Sequence, residues 1–178
     1  MLKLLLILGI LYGTAESVCK SAEKLTEAER AVLAQHNKLR AQHQDTPALC
    51  YGESGDDITF TAQSWSEELV RTQVWAHSAA ENYGENLYVA YYNYDSQEDF
   101  WVHCTNGWYE EIEWWNNDKV CKSTGHYTQV VWKDTKQLNC GYANSGWVAV
   151  TVCQYYPPGN VEGQYDEKVA PLAKGREI

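Results

Sequence analysis

Two histidines and two glutamates have the residue types for metal or proton chemistry. His77 stands eight residues before Glu85 in Tyr83-Gly84-Glu85-Asn86-Leu87, and His126 lies in Gly125-His126-Tyr127-Thr128-Gln129-Val130-Val131-Trp132. Glu111 belongs to a run of three nearby carboxylates with Glu110 and Glu113. Neutral imidazole and carboxylate oxygen suit zinc or another divalent first-row cation, and the same groups can exchange protons as acid and base. No HExxH pair fixes two ligands on one helix. A structural role stands beside these readings, with Glu85 holding loop amides and His126 a backbone carbonyl.

Two further features bear on chemistry. Tyr88, Tyr91, Tyr92 and Tyr94 crowd one short stretch. Aromatic rings with polar tips suit contact with a lipid or a protein, and they also suit a half-buried loop. Gly52-Glu53-Ser54-Gly55 lacks the glycine two places after serine that a nucleophile elbow requires. A peptidase would therefore need His77 and His126 to hold a metal and Glu85 or Glu111 to act as base. The enzymatic reading is the alternative, and a non-enzymatic protein is expected.

The elements that must position these groups follow from periodicity. Thr26 with Glu29 forms a capping box, and Val32, His36 and Leu39 share one face of a helix reaching about His43. Ala62, Trp65, Leu69, Thr72 and Ala76 predict a second amphipathic helix from about Thr59 to Ala76. Cys104, Trp108, Ile112 and Trp115 mark the inward stripe of a third, from Ser96 to about Trp115. At 100° per residue Glu111 lies within about 60° of Trp108, whereas Glu110 and Glu113 point away. A carboxylate turned inward needs a partner.

Three later segments, Tyr127 to Trp132, Leu138 to Ala143 and Trp147 to Tyr155, are rich in Val, Trp, Tyr and Thr and read as strands. Asn144-Ser145-Gly146 makes a hairpin of the last two. In that hairpin Cys140 and Cys153 come nearly opposite, which predicts a bridge. Helices first and antiparallel strands later indicate an α+β domain.

Lys3, the apolar run Leu4 to Leu11 and the small residues Gly13 and Ala15 read as a secretory signal peptide over 1–15, with cleavage after Ser17 equally compatible. Residues 19–178 then form one domain with a short tail, and no segment approaches the roughly 20 apolar residues of a membrane span. The six cysteines of a secreted chain predict three disulfides. A net charge of −10 with pI near 4.9 disfavours nucleic acid, whose binding depends on cationic contacts to phosphate.

His36-Asn37-Lys38-Leu39-Arg40, Tyr83-Gly84-Glu85-Asn86-Leu87, Gly125 to Trp132 and Cys153-Gln154-Tyr155-Tyr156-Pro157-Pro158-Gly159-Asn160 together resemble the CAP superfamily of cysteine-rich secretory, antigen 5 and pathogenesis-related 1 proteins. The resemblance spans about residues 30 to 165. One departure is Thr151, two places before Cys153, where the family usually has an apolar residue.

The resemblance implies a disulfide-stabilised three-layer α-β-α sandwich with a central three-stranded antiparallel sheet. It also implies a cavity lined by His77, Glu85, Glu111 and His126, which in family members holds zinc or another divalent cation or forms a metal-free hydrogen-bonded constellation. His36 and Asn37 are expected to be structural. Under the resemblance Cys140 pairs with Cys153, and Cys104–Cys121 and Cys19–Cys50 are the remaining expected bridges. The cysteine-rich C-terminal module of some members is absent from this sequence. The expected function is extracellular binding or signalling through a sterol, a fatty acid or a cell-surface receptor.

Overall fold

A computed structural model describes residues 19–53, 58–79, 81–91, 94–115 and 124–175. The signal-peptide reading of 1–15, Cys121 and Tyr92 lie outside these residues. The N-terminal capping box forms as expected: the Thr26 hydroxyl accepts from the Glu29 amide, and the Glu29 carboxylate accepts from the Thr26 amide at 2.8 Å. It starts α1 (Glu27–Arg40), which buries Val32, His36, Leu39 and Arg40.

After the short strand β1 (Cys50–Tyr51) comes α2 (Ile58–Thr72). This helix stops before the expected Ala76 because Gln73 takes a left-handed backbone with φ of 56°, which places Ala76 and His77 on the segment beyond it. Then follow β2 (Gly84–Ala90), α3 (Gln97–Glu110), α4 (Ile112–Trp115), α5 (Gly125–Val130), β3 (Gln137–Asn144), β4 (Ala149–Tyr156) and α6 (Tyr165–Lys168). Among the described residues no helix is long and apolar enough to cross a membrane.

The sheet order is β1-β3-β4-β2. Strands β2 and β3 each pair antiparallel with β4 between them, and β1 joins β3 in parallel at the other edge. Alternation along β4 explains the three layers. Val148, just before β4, together with Val150 and Val152, packs with Leu69 of α2 and half-buried Trp65, Leu87 and Val89 on one face. Ala149, Cys153 and Tyr155 face the larger core with Val32, Phe100, Trp108 and Val130. Gly141 permits the close approach of α2, since a Cβ there would meet the Ala62 carbonyl oxygen at 2.3 Å. Thr151, the departure from the family pattern, is fully buried and donates its hydroxyl to the Gly141 carbonyl at 2.8 Å, so its polarity is satisfied.

Three sequence readings are corrected. Tyr127 to Trp132 is not a strand; most of it lies in α5. Its β-branched and aromatic composition favours a strand, but the Glu111 carboxylate accepts from the first amides of the turn and the Thr128 hydroxyl donates to Thr124 and Gly125 carbonyls. Tertiary partners override the propensity. The third long strand is β2, which carries Tyr88 of the aromatic stretch that also suited a half-buried loop. The expected third helix is broken at Glu111, which caps α3 and precedes α4.

The hairpin bridge is made: Cys140 and Cys153 are register partners with Cα atoms 4.1 Å apart, and their sulfurs are bonded. Cys19 is bonded to Cys50. The expected Cys104–Cys121 bridge involves Cys121, outside the described residues; Cys104 itself carries a free, fully buried thiol. It lies on the stripe of α3 that includes Phe100 and Trp108, inside the core, and burial pushes the thiol well above its ordinary range.

Candidate functional site

The four predicted residues resolve into two His–Glu pairs. In the first, His77 lies beyond α2 and Glu85 is the second residue of β2. The Glu85 carboxylate accepts from His77 Nδ1 at 2.8 Å, from the Ser78 amide at 2.9 Å, from the Ser78 hydroxyl at 2.6 Å and from Gln154 Nε2 at 3.1 Å. Burial alone would raise the Glu85 carboxyl, but these four donors outweigh it and hold the group below its ordinary value. The bond to Glu85 in turn raises His77 above the usual imidazole range against the effect of its own burial.

The second pair joins the end of α3 to the start of α5. Glu111 Oε1 accepts from His126 Nδ1 at 2.6 Å, while Oε2 accepts from the His126 amide at 3.0 Å and the Tyr127 amide at 3.1 Å. The glutamate therefore caps the short helix and orients its imidazole at once. Trp108 lies nearly parallel to the His126 ring at a centroid distance of 6.3 Å. The inward turn of Glu111 read from helical geometry agrees with its 14% side-chain exposure.

Edge strand β2 connects the pairs. Glu85 is register partner of Gln154, on the sheet face that also carries Leu87 and Val152. The next residue, Asn86, points by alternation to the other face, where its amide donates to the His126 carbonyl at 3.1 Å and the Tyr155 hydroxyl at 3.3 Å. Tyr155 in turn meets His36 Nε2 at 2.9 Å, and His36 Nδ1 meets the Val32 carbonyl. A buried polar chain thus runs from the pairs to α1. His36 is fully buried in it, and burial lowers its pKa to about 4. Asn37 braces the Leu49 amide and carbonyl at 2.7 and 3.0 Å, so both helix-signature residues have the structural roles expected of them.

With Nδ1–H donated to a carboxylate, a neutral imidazole keeps its Nε2 lone pair. His77 and His126 side chains are 62% and 37% exposed, whereas Glu85 is 8% exposed. The glutamates thus orient the rings. Among the described residues no group of three or more His, Cys, Asp or Glu side chains is gathered closely enough to hold a metal ion. The two pairs form a hydrogen-bonded arrangement in which each imidazole leaves its Nε2 outside the bond to its glutamate.

The aromatic stretch divides. Tyr88 packs against Phe100 and Trp108 and pairs its hydroxyl with His103 Nε2 at 3.1 Å, and Tyr94 lies 4.7 Å from Phe100. Tyr91 is 69% exposed. It meets Trp75 edge to face at 6.3 Å and takes a hydrogen bond from the indole N–H at 3.0 Å, beside exposed Val74. Residue types alone do not reveal the roles of Ser78, Asn86 and Gln154, although Asn86 and Gln154 lie in the quoted motifs and Ser78 follows His77.

Comparison with known proteins gives the same picture. A sequence profile of the CAP, cysteine-rich secretory protein family matches residues 33–155. The human Golgi-associated plant pathogenesis-related protein 1 is 35% identical over 164 residues, covering 87% of this chain and 99% of the relative. Protein PRY2 of Saccharomyces cerevisiae is 33% identical over 147 residues, covering 80% of this chain and 41% of its own length. The crystal structure of NaASP2 with Zn2+ superposes with a TM-score of 0.66 at 20% identity, covering 88% of this chain and 91% of that one; at this identity the likeness concerns the fold. The chain belongs to the CAP family.

Proposed function

We propose that the chain is a secreted, non-enzymatic protein that works by binding, taking a sterol, a fatty acid or a cell-surface receptor at its exposed aromatic surface. The observation that carries this reading is the engagement of both glutamates: Glu85 accepts four hydrogen bonds and Glu111 three, all from the protein itself. A general base needs an oxygen free to take a proton from water or substrate, so carboxylates engaged by three and four protein donors favour ring positioning over peptide hydrolysis. The Trp75–Tyr91 pair and Val74 supply the contact surface. The two disulfides and the secretory family support an extracellular setting.

Zinc or another divalent cation is accessory in this reading, taken by the two Nε2 atoms if they approach each other. Native mass spectrometry of the purified protein with cholesterol and palmitate tests the binding reading. Capture that falls in Trp75→Ala and Tyr91→Ala supports the proposed surface. Failure to capture either lipid, together with no binding to cell surfaces, overturns the reading. Cleavage of casein by the wild-type protein that is lost in Glu85→Ala replaces it with the peptidase. Calorimetric titration with zinc is expected to give weak binding, at about micromolar Kd or above; nanomolar binding lost in both His77→Ala and His126→Ala overturns the accessory role.

A further inference from the structure

The chain treats the two edges of its sheet differently. Outside β1, which is only two residues long, the Lys20 amide donates to the Tyr51 carbonyl at 2.8 Å, Cys19 forms a β-bridge with Gly52, and the Cys19–Cys50 disulfide ties the covering segment down. That edge is closed. At the opposite edge β2 spans seven residues, Gly84–Ala90, with no proline, no lysine and a single charge, Glu85, that is already engaged by His77. Short length, proline and lysine usually keep strand edges from pairing; β2 has none of these. We propose that β2 accepts an extended, cationic peptide from another protein as a fifth strand, anchored on the main chain of Val89.

Backbone parity identifies the open groups. In an antiparallel pair every second residue turns both its N–H and its C=O toward the neighbouring strand, and the residues between turn theirs away. The Gly52 amide donates to the Leu138 carbonyl at 3.1 Å, so Leu138 faces β1 while Asn139 and Gly141 face β4. Carried through the register, Asn139 bonds across to Gln154 and Gly141 to Val152, which leaves Thr151 and Cys153 turned toward Tyr88 and Asn86 of β2. Glu85, Leu87 and Val89 therefore point outward. The Trp108 indole agrees from outside the sheet, donating to the Leu87 carbonyl at 3.2 Å. Past that contact, the Leu87 N–H and both main-chain groups of Val89 meet no partner among the described residues.

Side chains set what the added strand carries. Half-buried Val89 packs, with Trp65, Val70 and Leu87, against the cluster of Leu69, Val148, Val150 and Val152, so a β-branched apolar residue opposite it gains a cross-strand contact. Its neighbours in the peptide lie by alternation on the face of Tyr88, whose hydroxyl meets exposed His103, where threonine suits. Charge decides between a second copy and a different partner. Two chains of net charge −10 repel each other, whereas a basic segment is drawn in.

Residue-resolved hydrogen exchange of the isotope-labelled protein, with the end-capped heptapeptide KTVTVTK added, tests the assignment. In the free protein the outward Leu87 and Val89 amides should exchange faster than the inward Asn86 and Tyr88 amides, and saturating peptide should slow the outward pair by about tenfold or more. The same peptide N-methylated at both valines cannot donate to Val89 and should bind about tenfold more weakly. The acidic analogue ETVTVTE should also bind more weakly. Val89→Pro removes an outward N–H and no ladder bond, and should weaken the peptide about tenfold with an unchanged circular dichroism spectrum; if that variant does not fold, the wild-type exchange and the N-methylated peptide decide. Outward amides left unprotected at about 1 mM KTVTVTK overturn the proposal. So does equal binding of the N-methylated or the acidic peptide, or protection that grows with protein concentration in the absence of peptide, which assigns the edge to a second copy. Peptide pairing uses the main chain of β2 and lipid capture the rings of Trp75 and Tyr91, so each can fail without the other.

Discussion

Glu111 holds His126 in two ways, through the imidazole Nδ1 at 2.6 Å and through the backbone amide at 3.0 Å. One carboxylate therefore sets both the ring and the helix that carries it. Replacing it with the near-isosteric amide in Glu111→Gln removes the charge and one acceptor oxygen. The expected loss is about 1–2 kcal/mol, the range of a charged helix cap, measured by urea unfolding. Hydrogen exchange should accelerate in residues 125–130 while α1 keeps its protection. Unchanged exchange there would show that α5 is held by other contacts.

Much of this frame was legible because it is locally encoded. The capping box at Thr26, the β3–β4 hairpin and the inward turn of Glu111 each depend on a few residues at helical or strand spacing. The misread elements depend on distant partners. The Tyr127–Trp132 segment has the composition of a strand, and the carboxylate of Glu111 and the amide and carbonyl partners of Thr128 and Asn160 make it helical. β2 is half-buried at a sheet edge, where the apolar alternation of Leu87 and Val89 is too short to stand out. The site followed the same division. Residue types and motifs picked out the two histidines and two glutamates, while the help of Gln154 to Glu85 required the β2–β4 register.

The buried histidine of α1 gives a pH signature. Folding lowers His36 from the ordinary value near 6.5 to about 4, so above about pH 6.5 both folded and unfolded states carry it neutral. Between pH 6.5 and 4 the unfolded chain binds the extra proton, and stability falls by roughly 3 kcal/mol across that window. His43 is lowered in the same direction by burial. His77 works oppositely, because its pKa is raised by Glu85 and its contribution is full below the unfolded value and lost as pH rises through the folded one. Urea unfolding across this window should show a shallower acid slope in His36→Gln than in wild type. An unaltered slope would assign the acid sensitivity to other groups.

Cys104 predicts a labelling pattern. Its thiol is free and fully buried, and the thiolate needed for alkylation is suppressed by the same burial. Iodoacetamide should leave Cys104 unmodified in the native protein and alkylate it in guanidinium without reductant. Peptide mapping reads both states. Recovery of a disulfide-linked peptide containing Cys104 and Cys121 would contradict the free thiol.

Arg40 carries a buried charge that, among the described residues, is met by carbonyls and by no carboxylate. Its Nε donates to Pro47 carbonyl at 2.7 Å, its Nη1 to Val130 and Trp132 carbonyls at 2.9 and 3.0 Å, and its Nη2 to Thr135 carbonyl at 3.2 Å. Burial lowers the guanidinium pKa to about 10, which still leaves it charged at neutral pH. The carbonyls of Val130 and Trp132 lie at and just past the end of α5, where negative dipole ends gather, so a cation is favoured there. The planar fork reaches four oxygens that a lysine ammonium cannot reach together. Arg40→Lys should therefore lose about 2 kcal/mol or more despite keeping its charge, and Arg40→Met about 3–5 kcal/mol, because the acceptors are left buried without donors. Equal stability of the lysine variant and wild type in urea would mean that charge, and not the fork, secures this end of α5.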